Sequence, residues 1–282
     1  MEKPKIALIV DSGCDLPDEV IKTYGIKVLR LKIFHEGKEY TDGLDFDPSS
    51  VYSMDVLPTT STPNMQEVLD VVEEIRKEGY EQVIAITISG GLSGTNNTVA
   101  MTFNEIEDME TYVFDTKNIS IGAGFFAILA AEMIASGKEF KEIVEKLEQK
   151  RLDSKVFFYM DTLDNLKKGG RISPAVAIVG KALNLKPIIS CTEKGVYYTV
   201  AKFRGAQKGI SKLIEEAVAF AGEHKCIIAL MNGGAAQIAA QIKPRIESAI
   251  ENGKIIMEKQ ITGTMAIHTG PGLLGIGVLK LS

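Results

Sequence analysis

Four segments concentrate side chains that can hydrogen-bond an anion or attack a carbonyl. Thr59-Thr60-Ser61-Thr62 sets four hydroxyls in a row before Pro63. Ahead of a helix, such a run lies beside the unsatisfied N–H groups of the first turn, a natural place for an anion. One hydroxyl suffices to cap a helix, so capping by Thr62 alone also explains the run. Ser89-Gly90-Gly91-Leu92-Ser93-Gly94-Thr95 follows the apolar run Val83–Ile88 and precedes helical sequence. Ligands of open parallel sheets bind outside the carboxyl ends of the strands, where glycine lets backbone N–H groups approach closely. The segment has neither the GxGxxG nor the Walker spacing, and Thr95 stands where a GxSxG elbow needs its last glycine. A tight strand-to-helix turn accounts for it equally well.

His268-Thr269-Gly270-Pro271-Gly272 places an imidazole beside a hydroxyl, on what reads as a stiff glycine-rich turn entering the last strand. Such a histidine can bind an anion, act as a base or orient another hydroxyl. Lys167-Lys168-Gly169-Gly170-Arg171-Ile172-Ser173 and Lys202-Phe203-Arg204 are basic clusters that suit a phosphate, an acidic partner or plain solvent. Asp11 and Asp15, just after the first apolar run, read as turn and capping residues rather than metal ligands. His35, His224 and the dispersed Cys14, Cys191 and Cys226 form no zinc spacing.

These segments sit between regular elements. Ile6–Val10, Val83–Ile88 and Thr111–Phe114 are strand-like, the first two as continuous apolar runs buried on both faces. Asp18–Tyr24, the stretch from Pro63 towards Gly79, the stretch from Thr95 to about Phe103, Ile119–Ser136 and Phe140–Lys150 read as helices. Tyr40–Pro63 reads as loop. Strand–helix alternation predicts a mainly parallel sheet with helices on both faces. After about residue 153 the pattern changes: Val156–Tyr159, Pro187–Cys191, Val196–Phe203, Ile227–Met231, Lys254–Ile261 and a terminal strand, with helices at Pro174–Leu183, Gln207–Ala221 and Ala235–Ile250. We therefore expect two domains, an α/β unit over 1–153 and an α+β unit over 154–282.

The chain has 282 residues, 45% hydrophobic and 24% charged, which excludes disordered, collagenous and disulfide-stapled classes. With 32 basic and 37 acidic residues its formal charge is −5, a poor match to a general nucleic-acid binder. Three separated cysteines without CxxC favour a reducing compartment. The first apolar run is too short for a secretory signal, and Ile119–Ala131 is shorter than the ~20 residues of a membrane span. The expectation is a cytoplasmic protein.

IALIVDSGCDLP, TTSTPN, ISGGLSGT, LDNLKKGGRIS, KPIIS with VAKFRGAQKGI, and HTGPGLLGIGVL, in this order over almost the whole chain, resemble the DegV family of bacterial fatty-acid-binding proteins. The family includes the acyl-binding subunit of fatty acid kinase. The resemblance implies two α/β domains with a long-chain fatty acid between them. Its carboxylate would be held by Thr60, Ser93 and His268, with Ser61, Gly94, Thr95 and Thr269 close by. Arg171 and Arg204 match arginines near the face that meets a dihydroxyacetone-kinase-like kinase subunit. The family often has Ser-Ser before the Leu-Ser-Gly-Thr turn; here the second position is Gly90. The implied role is substrate presentation: no catalytic residue, metal or cofactor of its own, the acyl phosphate shielded afterwards for phospholipid synthesis, and transient membrane-surface contact. Two rivals from other classes stay open at this point. One is an acyl hydrolase with Ser93 as nucleophile, His268 as base and Asp115 or Asp161 as orienter. The other is a sugar-phosphate or nucleotide enzyme using the glycine loops and Arg171.

Overall fold

A computed structural model describes residues 5–172 and 186–281. The predicted helix over Pro174–Leu183 and the end of the basic loop, Ser173, lie outside them. Along the first half run β1 (Ile6–Asp11), α1 (Asp18–Tyr24), β2 (Lys27–Leu29), β3 (Lys32–His35), β4 (Lys38–Thr41) and β5 (Thr59–Ser61). Then follow α2 (Met65–Lys77), β6 (Gln82–Thr87), α3 (Thr95–Phe103), β7 (Glu110–Asp115), α4 (Ile121–Ala135) and α5 (Phe140–Lys150). Four strands form a parallel sheet in the order β2-β1-β6-β7, as the continuous apolar runs require. β3, β4 and β5 make a small antiparallel sheet.

The second half holds β8 (Ser154–Tyr159), α6 (Asp164–Lys168), β9 (Lys186–Cys191), β10 (Tyr197–Phe203), α7 (Ala206–Ala221), β11 (Cys226–Gly233), α8 (Ala236–Ala249), β12 (Gly253–Gln260), α9 (Gly263–Thr269) and β13 (Leu273–Lys280). Its strands form one mixed sheet, β10-β9-β8-β13-β11-β12, antiparallel except for the β11–β12 pair.

One helix joins the two sheets. From Ile121 to Ala131 α4 is apolar all round, the composition of a helical stretch with no solvent face, and only its last turn, with Glu132, reaches solvent. It packs on β1 and β6 of the first sheet and on β8 and β13 of the second. Gly277 in β13 allows this approach, because a Cβ there would come within 2.6 Å of Ile121 Cγ2. The apolar faces of α2 and α3 cover the opposite side of the first sheet, and α7 and α8 cover that of the second. Among the described residues, no helix is long and apolar enough to cross a membrane.

Four sequence expectations are corrected. Tyr40–Pro63 is not uniform loop: it contains the last residues of β4, a 3-10 turn over Pro48–Ser53 and β5. Thr59, Thr60 and Ser61 pair with Phe34, Ile33 and Lys32, a role that suits β-branched threonine. The hydroxyl run therefore lies in a strand, and the following helix is capped by Asn64, whose side chain accepts from Glu67 N–H while Glu67 returns to Asn64 N–H. The charged break after β8 includes α6, and His268 lies in the last turn of α9 rather than on the Gly-Pro-Gly turn. Gly263 to Thr269 carries no break within one short helix, and glycine stops it only at Gly270, whose φ is +73°.

Candidate functional site

Three chain segments meet at the cavity that His268 lines. Thr60 projects from β5, and its Oγ1 lies 2.9 Å from His268 Nε2, across 208 positions of sequence. Ser93 stands in the turn before α3, where its hydroxyl pairs with Thr95 Oγ1 at 2.9 Å. Thr95 is fully buried and stands behind Ser93, so it fixes that hydroxyl rather than facing the cavity. Gly94 forms the N-terminal boundary of α3 with its backbone. Ser61, next to Thr60 along the strand, is exposed at the rim and donates to Thr62 O. Thr269 is buried and returns its hydroxyl proton to Met265 O one turn back, leaving only acceptor capacity.

Thr60, Ser61, Ser93, His268 and Thr269 line one small cavity of about 30 Å³ together with Leu31, Ile88, Leu92, Ile119 and Arg171. It shares Ile119, Tyr197, Met265 and Thr269 with a neighbouring cavity of about 20 Å³. The second cavity is mainly apolar, walled by Val156, Phe158, Ile261 and Leu273. Phe158 and Tyr197 meet there edge to face, with ring centroids 5.5 Å apart. A polar mouth, edged by the exposed Arg171, thus adjoins an apolar interior, a combination typical of small-molecule sites. A wider cleft holding Asp11, Arg30, Asp47 and Lys259 contains none of Thr60, Ser93 or His268.

Buried carboxylates set the position of α9. Asp15 accepts the Thr262 N–H at 2.8 Å and Asp42 the Thr264 N–H at 3.0 Å. Negative charge at these donors of the cap and first turn complements the helix dipole. Asp42 is held in turn by the Ser12 hydroxyl at 2.8 Å. Asp11 takes the Gly13 N–H in the expected local turn and the Ile88 N–H as well, at 2.9 and 2.8 Å. Asp15, in contrast, caps across the interface rather than locally. Burial pushes Asp11 up to about 7 and Asp15 up to about 6, against hydrogen bonds and, for Asp15, the Lys259 charge that pull them down.

Burial, with the Arg171 charge adding to it, holds the His268 imidazole down at about 4, so it is neutral at pH 7. Its Nδ1 has no hydrogen-bond partner among the described residues. Gly169, at the end of α6, lies directly against it; a Cβ there would overlap Nδ1 and sit 2.9 Å from Cε1. Arg171 is exposed and donates to Gly169 O at 2.7 Å. Arg204 is exposed at the end of β10 and does not line the cavity.

This geometry gives no support to a Ser-His-Asp triad. His268 Nε2 is engaged by Thr60, and neither proposed orienter reaches the ring: Asp115 binds Gly90 N–H and Lys117, and Asp161 binds Tyr159 and Lys186. The Ser89-Gly90-Gly91 turn has a structural task. Ser89 Oγ donates to Gly195 O of the β9–β10 hairpin at 2.8 Å and accepts Gly91 N–H, tying the two sheets together. At Gly90 a Cβ would come within 3.0 Å of Asp115 Oδ2, so the turn sits tight against that carboxylate. Among the described residues no group of three or more His, Cys, Asp or Glu is placed to hold a metal. The residues missed from sequence are Gly169, Thr264, Tyr197 and Asp42; Thr264 and His268 are one helical turn apart, a spacing hidden once the segment is read as loop.

The DegV family model, described as an uncharacterised protein family, matches residues 5–281. A DegV domain-containing protein of Clostridium acetobutylicum is 41% identical over 278 residues, 98% of this chain and 99% of its own. A solved DegV family protein of Thermus thermophilus, whose structure is described as showing fatty acid binding, superposes with a TM-score of 0.88 at 28% identity, over 98% of this chain and 100% of that one. DegV of Bacillus subtilis, described as a fatty acid binding protein, gives the same TM-score and identity over 99% of this chain and 100% of that one. This chain belongs to the DegV family.

Proposed function

We propose that this protein binds a long-chain fatty acid, with its carboxylate among Thr60, Ser93 and His268 and its tail in the apolar cavity beyond them. The observation that carries the reading is the Thr60–His268 pair at the mouth of that cavity. Relatives of the same fold whose structures are described as binding fatty acids support it. Each buried methylene is worth ~0.8 kcal/mol, so about a dozen supply roughly 10 kcal/mol before ordering costs. The head group sets orientation through hydrogen bonds of ~1.5–3 kcal/mol each for a charged acceptor. Hydroxyls and a neutral imidazole suit the task, because the empty pocket then buries no unpaired cation.

We read residues 1–153 and 154–282 as the two units that enclose the ligand. In this reading the chain does no bond-making of its own. It presents the carboxyl end to a separate ATP-dependent kinase, and the pocket shields the resulting acyl phosphate from water. Arg171 edges the cavity and Arg204 is exposed, and in this reading their positive charge suits a phosphate or an acidic partner surface.

The test is the mass of freshly purified protein under native and denaturing conditions. A native excess of one fatty acid, identified after extraction, supports the reading. No excess after addition of hexadecanoic or octadecenoic acid refutes it.

A further inference from the structure

The cavity mouth contains a hydroxyl that no resemblance motif marks. Thr264 is 2% exposed and lines the same cavity as Thr60, Ser93 and His268. It precedes His268 by one helical turn, so both side chains stand on one face of α9. Its N–H is taken by Asp42, yet its Oγ1 is buried without a hydrogen-bond partner among the described residues. Thr269 in the same helix shows the usual resolution, returning its hydroxyl to the carbonyl four residues back; Thr264 does not. A buried unpaired hydroxyl is an unfavourable group to retain, and a partner that arrives with a ligand is one physical reason to retain it.

We propose that Thr264 is a further head-group residue, its hydroxyl donating to a carboxylate oxygen of the bound fatty acid beside Thr60, Ser93 and His268. The assignment rests on the fatty-acid reading above. It adds a neutral donor on the helix that carries the imidazole, so one rigid element sets both groups. Asp42 holds that element at the Thr264 N–H, which fixes the backbone from which the hydroxyl projects.

Replacing the hydroxyl by a methyl group of the same shape separates ligand binding from folding. In delipidated Thr264→Val, affinity for hexadecanoic acid is expected to fall by about tenfold or more, equivalent to ~1.4 kcal/mol. Its ligand-free Tm should be unchanged or higher, because an unpaired buried hydroxyl has been removed. Thr264→Ser keeps the hydroxyl and should bind within about threefold of wild type, well inside the tenfold expected of valine. Undiminished binding by Thr264→Val overturns the proposal and leaves the fatty-acid reading standing. So does a loss of affinity that comes with a lowered Tm, which makes the hydroxyl structural. If wild-type protein itself binds no fatty acid, the reading and the proposal fall together.

Discussion

Gly169 offers the sharpest test of how the site is held. Its φ is −75°, so alanine meets no backbone strain and the whole effect is steric. The added Cβ would overlap His268 Nδ1 and lie 2.9 Å from Cε1. The ring must then retreat by on the order of 1 Å to reach ordinary van der Waals separation. Such a shift breaks the 2.9 Å contact from Nε2 to Thr60. Overpacking of a filled site costs about 1–3 kcal/mol, and the lost hydrogen bond adds about 0.5–1.5 kcal/mol. At roughly 2–4 °C per kcal/mol for chains somewhat smaller than this one, Gly169→Ala should lower Tm by several degrees. Fatty-acid affinity should fall by about tenfold, the worth of one displaced hydrogen bond to a charged group. Thermal unfolding and displacement of a fluorescent fatty acid read the two effects. The double variant with His268→Ala isolates the mechanism: without the ring the closest group left to the methyl is Asn165 O at 3.2 Å, so the two changes must be strongly non-additive. Additive effects, or a Gly169→Ala protein with wild-type Tm and affinity, would refute the argument.

Three further outcomes follow from the same geometry. Ser93→Ala should bind fatty acid more weakly, by roughly tenfold for one lost charge-assisted bond, with little change in Tm; equal retention of lipid in native mass spectra would remove Ser93 from the head-group site. His268 is depressed from 6.5 to about 4, so its neutral burial favours folding above pH 6.5 and that advantage is lost as pH falls towards 4. The stability of wild type relative to His268→Gln should therefore drop by up to about 3 kcal/mol across that window in urea titrations, and a constant difference would contradict the buried neutral ring. Ser89→Ala leaves Gly195 O and Gly91 N–H without the partner that ties the sheets, and should cost about 1–3 kcal/mol in urea unfolding; an unchanged midpoint would show that the hairpin contact contributes nothing.

Much of this protein is written in local sequence. Continuous apolar runs such as Ile6–Val10 and Val83–Ile88 specify strands buried on both faces, and a parallel sheet follows from their alternation with amphipathic helices. The uniformly apolar Ile119–Ala131 marks a helix without a solvent face, and the structure supplies two sheets to cover it. The order of the short hydroxyl, glycine and histidine motifs is enough to suggest the family, which the whole-chain match then shows. Where local signals conflict, tertiary contacts decided. Thr59-Thr60-Ser61 became a strand because β3 offers an antiparallel partner, and Gly263–Thr269 became a helix because Asp15 and Asp42 accept N–H groups of its cap and first turn. No window around His268 contains those acceptors, which lie more than two hundred positions away in the chain. The site itself is of the same kind. A pair such as Thr60 and His268, or a contact such as Gly169 against the imidazole, depends on how two sheets close around α4. Local propensity reaches a few residues along the chain; the distances that make a head-group pocket are set by packing between segments that only the folded core brings together.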